Sequence, residues 1–114
     1  MDRFKLFDGV ELPIEIYNQV AIIDKAIEFF TEECDVETDF TFPAYVSSYF
    51  RVFNERLGRE IKDIALSQSG ASLIINASAL DMTFDDVGNY YYEIGYVQTG
   101  GYEVPLRYGN LRVL

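Results

Sequence analysis

The feature that most constrains the fold of this chain is a short turn sequence followed at once by an alternating aromatic run. Residues 86–90 read Asp-Val-Gly-Asn-Tyr, and the run 90–97 reads Tyr-Tyr-Tyr-Glu-Ile-Gly-Tyr-Val. A glycine allows a backbone shape that a side chain would obstruct, and an aspartate can accept N–H bonds within a turn. The alternation predicts a strand with two different faces. One face carries Tyr90, Tyr92 and Ile94, and the other carries Tyr91, Glu93 and Val97.

Other segments of the chain also have the composition of strands separated by turns. Strands are predicted over residues 47–54, 60–66 and 71–78, and a broken last strand over 102–106 and 111–114. Turns are predicted at 56–59, 67–70 and 99–101, and residues 32–38 are predicted to form an exposed acidic loop. Regular turn signals without a long helix indicate an all-β protein.

The turn and the run together resemble the entry into the sixth strand, F, of immunoglobulin-like domains. There the pattern D-x-G-x-Y forms a "tyrosine corner", which here corresponds to Asp86, Gly88 and Tyr90. The resemblance implies an immunoglobulin-like antiparallel β-sandwich of about seven strands. It also implies that the Tyr90 ring is buried and that its hydroxyl bonds to nearby backbone. The chain has no Trp, its single Cys34 cannot form the intersheet disulfide, and Tyr92 occupies the place of the second cysteine.

Three stretches in the C-terminal part of the chain are similar to small immunoglobulin-like domains in the virions of tailed bacteriophages. The similarity rests on residues 88–94, the turn 99–101 and residues 106–113, which include a G-x-L-x-V ending. Such domains sit in baseplates, tail-fibre anchors and head or neck decorations. The resemblance implies a non-enzymatic structural protein of the virion, an adaptor or decoration subunit docking on capsid, neck, tail or baseplate. Its partners would be other virion proteins or further copies of itself, and it would occupy host cytoplasm during assembly.

The first 33 residues leave three questions open. Residues 11–20 begin with apolar residues at alternating positions, and Pro13 places that strand at an edge or starts it after the proline. Residues 21–33 fit a helical face or a strand, and we favour a strand because a sandwich needs its second strand here. Residues 1–10 form a docking arm or an edge strand, and residues 11–114 form one domain.

Composition narrows the class of protein further. With 114 residues, 49% of them hydrophobic, the chain is expected to fold as a single domain. It contains no apolar run long enough to span a bilayer, and its N-terminus lacks the pattern of a signal peptide. One cysteine fits a reducing compartment.

Charge argues against nucleic-acid binding, because the net charge is −10 and phosphate contacts need Lys and Arg. Residues 1–39 carry 11 acidic and 3 basic side chains, so most of the charge lies there. This acidic third is either a docking face or a solubilising surface.

Few residues could carry chemistry. The chain has no histidine, and Cys34 lies between Glu33 and Asp35, whose charge disfavours a thiolate. Paired carboxylates could in principle hydrolyse glycosides, but a chain of this size leaves little material for a cleft. Two acidic clusters lack the spacing of a calcium loop and are predicted to be solvated: Glu32, Glu33, Asp35, Glu37 and Asp39, and separately Asp81, Asp85 and Asp86. We therefore expect no enzyme activity, no cofactor and no metal.

The excess of aromatic residues points to binding. Tyr49 and Phe53 are predicted to lie exposed on the strand beside Tyr91, and tyrosine is enriched at protein interfaces. The predicted interface consists of Phe4, Leu6, Phe7, Tyr49, Phe53 and Tyr91. One alternative is a carbohydrate- or cell-surface-binding module that stacks sugars on Tyr49, Tyr91 and Tyr96. Another is ordinary cross-strand pairing of Tyr49 with Tyr91 and no ligand.

Overall fold

The computed structural model describes residues 2–6, 13–16, 25–43, 46–55, 58–76 and 88–114, and the description below concerns these residues. They form strands and turns, with no helix among them and hence none that could cross a membrane. The all-β prediction is confirmed. The nine strands are β1 (Asp2–Lys5), β2 (Ile14–Ile16), β3 (Lys25–Glu33), β4 (Val36–Asp39), β5 (Ser47–Phe53), β6 (Glu60–Ser69), β7 (Ser72–Ile75), β8 (Gly88–Val97) and β9 (Glu103–Val113).

The strands form one curled sheet in the order β1-β3-β7-β6-β5-β8-β9-β2, with β4 also paired to β3. The strand β6 takes part in both halves of the curl. Its residues from Glu60 to Leu66 pair with β5, and its residues from Ser67 to Ser69 pair with β7. The expectation of a wholly antiparallel sheet is wrong, because β1 lies parallel to β3 and β2 lies parallel to β9.

The core lies where the inner faces of the strands meet. Alternating residues of β3, β5 and β8 point inward, as the period of two in a strand requires. Phe50 and Tyr92 stack with ring centroids 5.7 Å apart, and both side chains are fully buried. Each large apolar side chain buried in this way contributes about 1.5–3 kcal/mol of transfer free energy. Among the described residues, the other large side chains that are fully buried are Ile14, Ile27, Phe29, Val52, Leu73, Ile75, Ile94, Leu111 and Val113.

The first strand belongs to this core. The Phe4 ring meets the Phe29 ring edge-on at 6.2 Å, and the Leu6 N–H donates to the Phe30 carbonyl oxygen at 2.8 Å. Phe4 and Leu6 are buried, so the prediction that they project as interface anchors is corrected. Phe4 lies opposite Phe29 in the parallel pair, and Leu6 follows directly after β1, so both side chains belong to the domain's own core. Phe7 lies outside the described residues.

Three segments of the N-terminal half form strands. Strand β2 begins directly after Pro13 and pairs with β9 at the end of the sheet, as predicted. The ambiguous segment 21–33 is a strand from Lys25 onward, and residues 21–24 lie outside the description. The acidic segment 32–38 is exposed as predicted, but it forms a β3–β4 hairpin turning at Cys34 and Asp35 instead of a loop.

The predicted break in the last strand is wrong, because β9 runs from Glu103 to Val113 without interruption. Its pairing with β8 shifts by one residue between Ile94 and Gly95, whose partners are Arg107 and Pro105. The extra residue of this bulge upsets the alternation in the sequence and imitates a strand end.

Two of the predicted turns contain a glycine with positive φ. The turn at 99–101 is confirmed, with positive φ at Gly100 and Gly101. The turn predicted at 67–70 occurs slightly later, at Gly70, because residues through Ser69 continue β6.

Candidate functional site

Charged and aromatic side chains are grouped on one face of the sheet. We call it the outer face and define it as the side of β6, β5, β8 and β9 that points away from the core. Phe50, Val52 and Ile94 point inward, so their neighbours in sequence point outward. Asp63, Arg51, Glu93 and Tyr108 lie directly opposite one another on the four strands. The fold therefore brings four distant parts of the chain into one row.

Tyr49 lies on this face but is covered. Its side chain is only 5% exposed, because the guanidinium carbon of Arg51 lies 4.0 Å from the centre of its ring. Its hydroxyl donates to a carboxylate oxygen of Glu93 at 2.9 Å. The prediction that Tyr49 is exposed is corrected, since the alternation gives the face of a residue and not what lies above it.

Gly95 makes room for the Tyr49 ring. It lies opposite Tyr49 on one side and opposite Pro105 on the other. A Cβ atom at this position would overlap the carbonyl oxygen of Val104 and lie 2.9 Å from the Tyr49 hydroxyl. A glycine is required here by close approach of neighbouring strands. Gly95, Tyr49 and Arg51 thus form three successive layers on the outer face.

Arg51 is the centre of an acidic cluster, which we define as Arg51 with Glu60, Asp63, Glu93 and Glu103. Its Nε atom lies 3.5 Å from Glu60 and 3.4 Å from Asp63, and its Nη1 atom lies 3.4 Å from Glu93. Its Nη2 atom contacts Glu103. Four carboxylates surround one guanidinium, so this cluster carries a formal charge of −3.

These contacts shift the pKa values of Arg51, Glu103 and the neighbouring Tyr49. The hydrogen bond with Glu103 raises the pKa of Arg51, and the same bond lowers the pKa of Glu103. Burial raises the pKa of the Tyr49 phenol, and its hydrogen bond to Glu93 acts in the same direction. Both shifts move these groups further from titration near neutral pH, where a phenol and a guanidinium are protonated in any case.

An aromatic patch lies beside the acidic cluster. We define it as Phe53, Tyr91 and Tyr108. Phe53 and Tyr91 lie opposite each other and are half-buried. Tyr108 is 40% exposed, and its ring centroid lies 6.5 Å from that of Tyr91. Phe53 and Tyr91 were predicted on this face, whereas Arg51 and Tyr108 were not among the predicted site residues.

Arg51 could have been recognised from the sequence as part of this face, whereas Tyr108 could not. Arg51 lies between Tyr49 and Phe53 in the alternating pattern of one strand, so its shared face could have been recognised from the sequence. Tyr108 could not, because the bulge before it changes which residues of β9 point outward.

The predicted sugar-stacking platform does not form. Tyr96 is buried on the inner side, where its ring packs edge-on against Phe42 at 6.0 Å. Tyr49 is covered by Arg51, which leaves only Tyr91 of the three predicted rings. Direct pairing of Tyr49 with Tyr91 is likewise corrected, since Tyr49 lies opposite Gly95 and Tyr91 lies opposite Phe53.

Of the predicted tyrosine corner, the structure describes Gly88 and Tyr90. Gly88 has a φ of 152°, and Tyr90 is half-buried and packs against the core. Asp86 lies outside the described residues. The hydrogen bond from the Tyr90 hydroxyl to backbone stays a prediction.

The acidic β3–β4 hairpin is attached to the first strand on the opposite half of the sheet. Arg3 bonds Glu28 at 3.2 Å and Glu37 at 2.9 Å, and its guanidinium lies 4.3 Å from the centre of the Phe30 ring. Within the described ranges, no group of His, Cys, Asp or Glu side chains is arranged to hold a metal ion. Asp81, Asp85 and Asp86 lie outside those ranges. Cys34 is exposed at the hairpin tip.

Comparison with known proteins adds no assignment. No protein-family model matches the chain, and no curated protein shows significant similarity to it.

Proposed function

We propose that this protein is a non-enzymatic structural subunit of a larger assembly, and that the assembly is the virion of a tailed bacteriophage. The observation that carries the proposal is the aromatic patch of Phe53, Tyr91 and Tyr108 beside the acidic cluster, on one exposed sheet face. Tyrosine and arginine are enriched in protein interfaces because they combine large contact area with polar groups. The virion is proposed from the resemblance of residues 88–94 and 106–113 to phage domains.

The curled sheet supports an immunoglobulin-like sandwich as the framework of this subunit. One layer would contain β1, β3, β7 and the end of β6, and the other would contain the start of β6 with β5, β8, β9 and β2. The buried side chains of both groups of strands belong to a single core cluster. Such a layered core fits a rigid adaptor that presents one face to a neighbour.

The electrostatics of the outer face also favour a structural role. A general acid or base works best with a pKa near the operating pH. Here the pKa values of Tyr49 and Arg51 are raised further above neutrality and that of Glu103 is lowered. These side chains hold one another in fixed charge states, which suits recognition better than proton transfer.

The proposal is tested by following the protein into purified particles with an outer-face variant. Tyr108→Ala removes an exposed ring of the patch and should leave the melting temperature nearly unchanged. If this ring is an interface anchor, its loss should reduce incorporation at least tenfold, which corresponds to about 1.4 kcal/mol.

Tyr102→Ala is the matched control. Tyr102 is 73% exposed, and its ring lies over Gly100 in the β8–β9 turn instead of in the aromatic patch. This variant should enter particles normally. Absence of the wild-type protein from purified particles would refute the virion proposal, and equal incorporation of both variants would refute the assignment of the interface.

A further inference from the structure

We propose that the outer face binds a cationic segment of a partner protein, in which an arginine or lysine lies across Tyr108 and reaches the acidic cluster. This inference rests on the proposed function, because it names the chemistry of the partner in the assembly. It differs from the prediction of an acidic docking face in residues 1–39, since the surface proposed here is formed by β6, β5, β8 and β9.

The first support is incomplete charge compensation. One guanidinium is shared by four carboxylates, and its Nε atom carries a single hydrogen while facing both Glu60 and Asp63. That hydrogen can form a good bond with one of them at a time. The side chains of Glu60 and Asp63 are each 47% exposed, so a cation from outside can approach them. A second cation would gain charge-assisted hydrogen bonds without displacing Arg51.

The second support is the position of the aromatic patch. Tyr108 lies directly opposite Glu93, and side chains opposite each other in an antiparallel pair have Cβ atoms roughly 5 Å apart. A long cationic side chain that lies on the Tyr108 ring would therefore place its charged end beside the carboxylate of Glu93. Cations stack favourably on tyrosine rings, as Arg51 already does on Tyr49 in this fold.

The third support is the charge of the whole chain, which discriminates between occupants. A net charge of −10 attracts a cationic partner over a long range. A second copy of this chain carries the same charge and would be repelled from the acidic cluster. A neutral sugar could donate hydroxyl hydrogen bonds to these carboxylates, but it would gain no charge–charge attraction from them. A cationic protein segment is the occupant that uses both the aromatic patch and the negative charge of the carboxylates.

The test is a titration of the full isotope-labelled chain followed by NMR. The probe is an acetylated and amidated pentapeptide that alternates glycine with arginine, and the control probe replaces each arginine with neutral citrulline. We expect saturable shifts centred on Phe53, Tyr91 and Tyr108 with the arginine peptide. Raising the salt from about 0.02 M to about 0.5 M should weaken the binding severalfold, because it shortens the Debye length. The citrulline peptide should leave these signals in place.

Matched variants locate the site. Asp63→Asn removes one charge from the acidic cluster and should weaken binding at least threefold, as should Tyr108→Ala. Glu37→Gln removes one charge from the β3–β4 hairpin and Tyr102→Ala removes an exposed ring elsewhere, so neither should change the affinity. Equal weakening by Glu37→Gln and Asp63→Asn would overturn the proposal, as would shifts centred on residues 32–39 or equal binding of the citrulline peptide. The absence of saturable shifts would also overturn it, and so would stronger shifts with a neutral oligosaccharide.

The two proposals fail in different ways. If Tyr108→Ala loses particle incorporation but the peptide does not bind, the assembly role stands and the cationic partner is wrong. If the peptide binds as expected but the protein is absent from particles, the cation-binding surface stands and the virion role is wrong.

Discussion

Phe4→Ala tests whether the first strand is part of the fold. The Phe4 side chain is 5% exposed and packs edge-on against Phe29, which is fully buried. Truncation removes the ring and leaves a cavity that the neighbouring core residues can fill only in part. Substitutions of this kind cost about 3–5 kcal/mol.

That loss is large compared with the stability of a small domain, which is typically about 5–15 kcal/mol. For a chain of this length it corresponds to a fall in melting temperature of roughly 10–20 °C. Thermal unfolding followed by circular dichroism would measure the change, and a urea titration would give the free energy of unfolding. We expect a lower midpoint with a similar slope, since the surface exposed on unfolding stays nearly the same.

Val36→Ala is the control for this experiment. Val36 is 63% exposed on β4, so its truncation should change the free energy of unfolding by less than about 0.5 kcal/mol. If Phe4→Ala has an equally small effect, β1 is not a stable part of the domain. Unchanged stability together with lost particle incorporation would restore the docking arm for residues 1–10.

Three further predictions concern a close contact, a turn and a titrating group. Gly95→Ala should lower the free energy of unfolding, measured with urea, by about 1–3 kcal/mol. The loss should be nearly as large in a Tyr49→Phe background, because two of the three close contacts of the added Cβ are with the backbone of β9. Full rescue of stability by Tyr49→Phe would contradict this. Asp35→Gly should raise the stability by about 1 kcal/mol, because Asp35 has a φ of 63° that glycine adopts more easily, whereas Asp39→Gly in extended β4 should lower it. Glu103 has a lowered pKa in the folded state, so its stabilising contribution is present above its ordinary pKa of about 4.5 and is lost as the pH falls through the lower folded value. Stability measured against pH should therefore fall less steeply below pH 4.5 in Glu103→Gln than in the wild type, and identical curves would exclude this contribution.

Alternation predicted the central strands well. The strands β5 and β8 have regular patterns, and their inward residues Phe50, Tyr92 and Ile94 are fully buried. Strand pairing itself is not local, so neither the two parallel pairs nor the continuity of β6 across the curl could be predicted from neighbouring residues. Alternation was misleading in β9, because the one extra residue of the bulge made a continuous strand look like two.

Alternation also predicted part of the candidate site. It placed Phe53 and Tyr91 on the correct face of their strands. Tyr49 shares that face, but its exposure depends on Arg51 lying over its ring and on Gly95 lying beside it. The position of Phe4 depended on whether β1 finds a partner strand, which is a property of tertiary structure.

The parallel pairing of β2 with β9 has a mechanical consequence. Ile14, Glu15 and Ile16 lie opposite Leu111, Arg112 and Val113, so the two strands run side by side in one direction. Tension applied toward the N-terminus of β2 and the C-terminus of β9 pulls the strands past each other lengthwise. Their hydrogen bonds then share the load at the same moment, whereas a hairpin such as β8–β9 pulled at its open end gives way one bond at a time. When the chain is stretched from its ends, β1 must separate from β3 before the load reaches β2, and we expect the β2–β9 contact then to resist in shear.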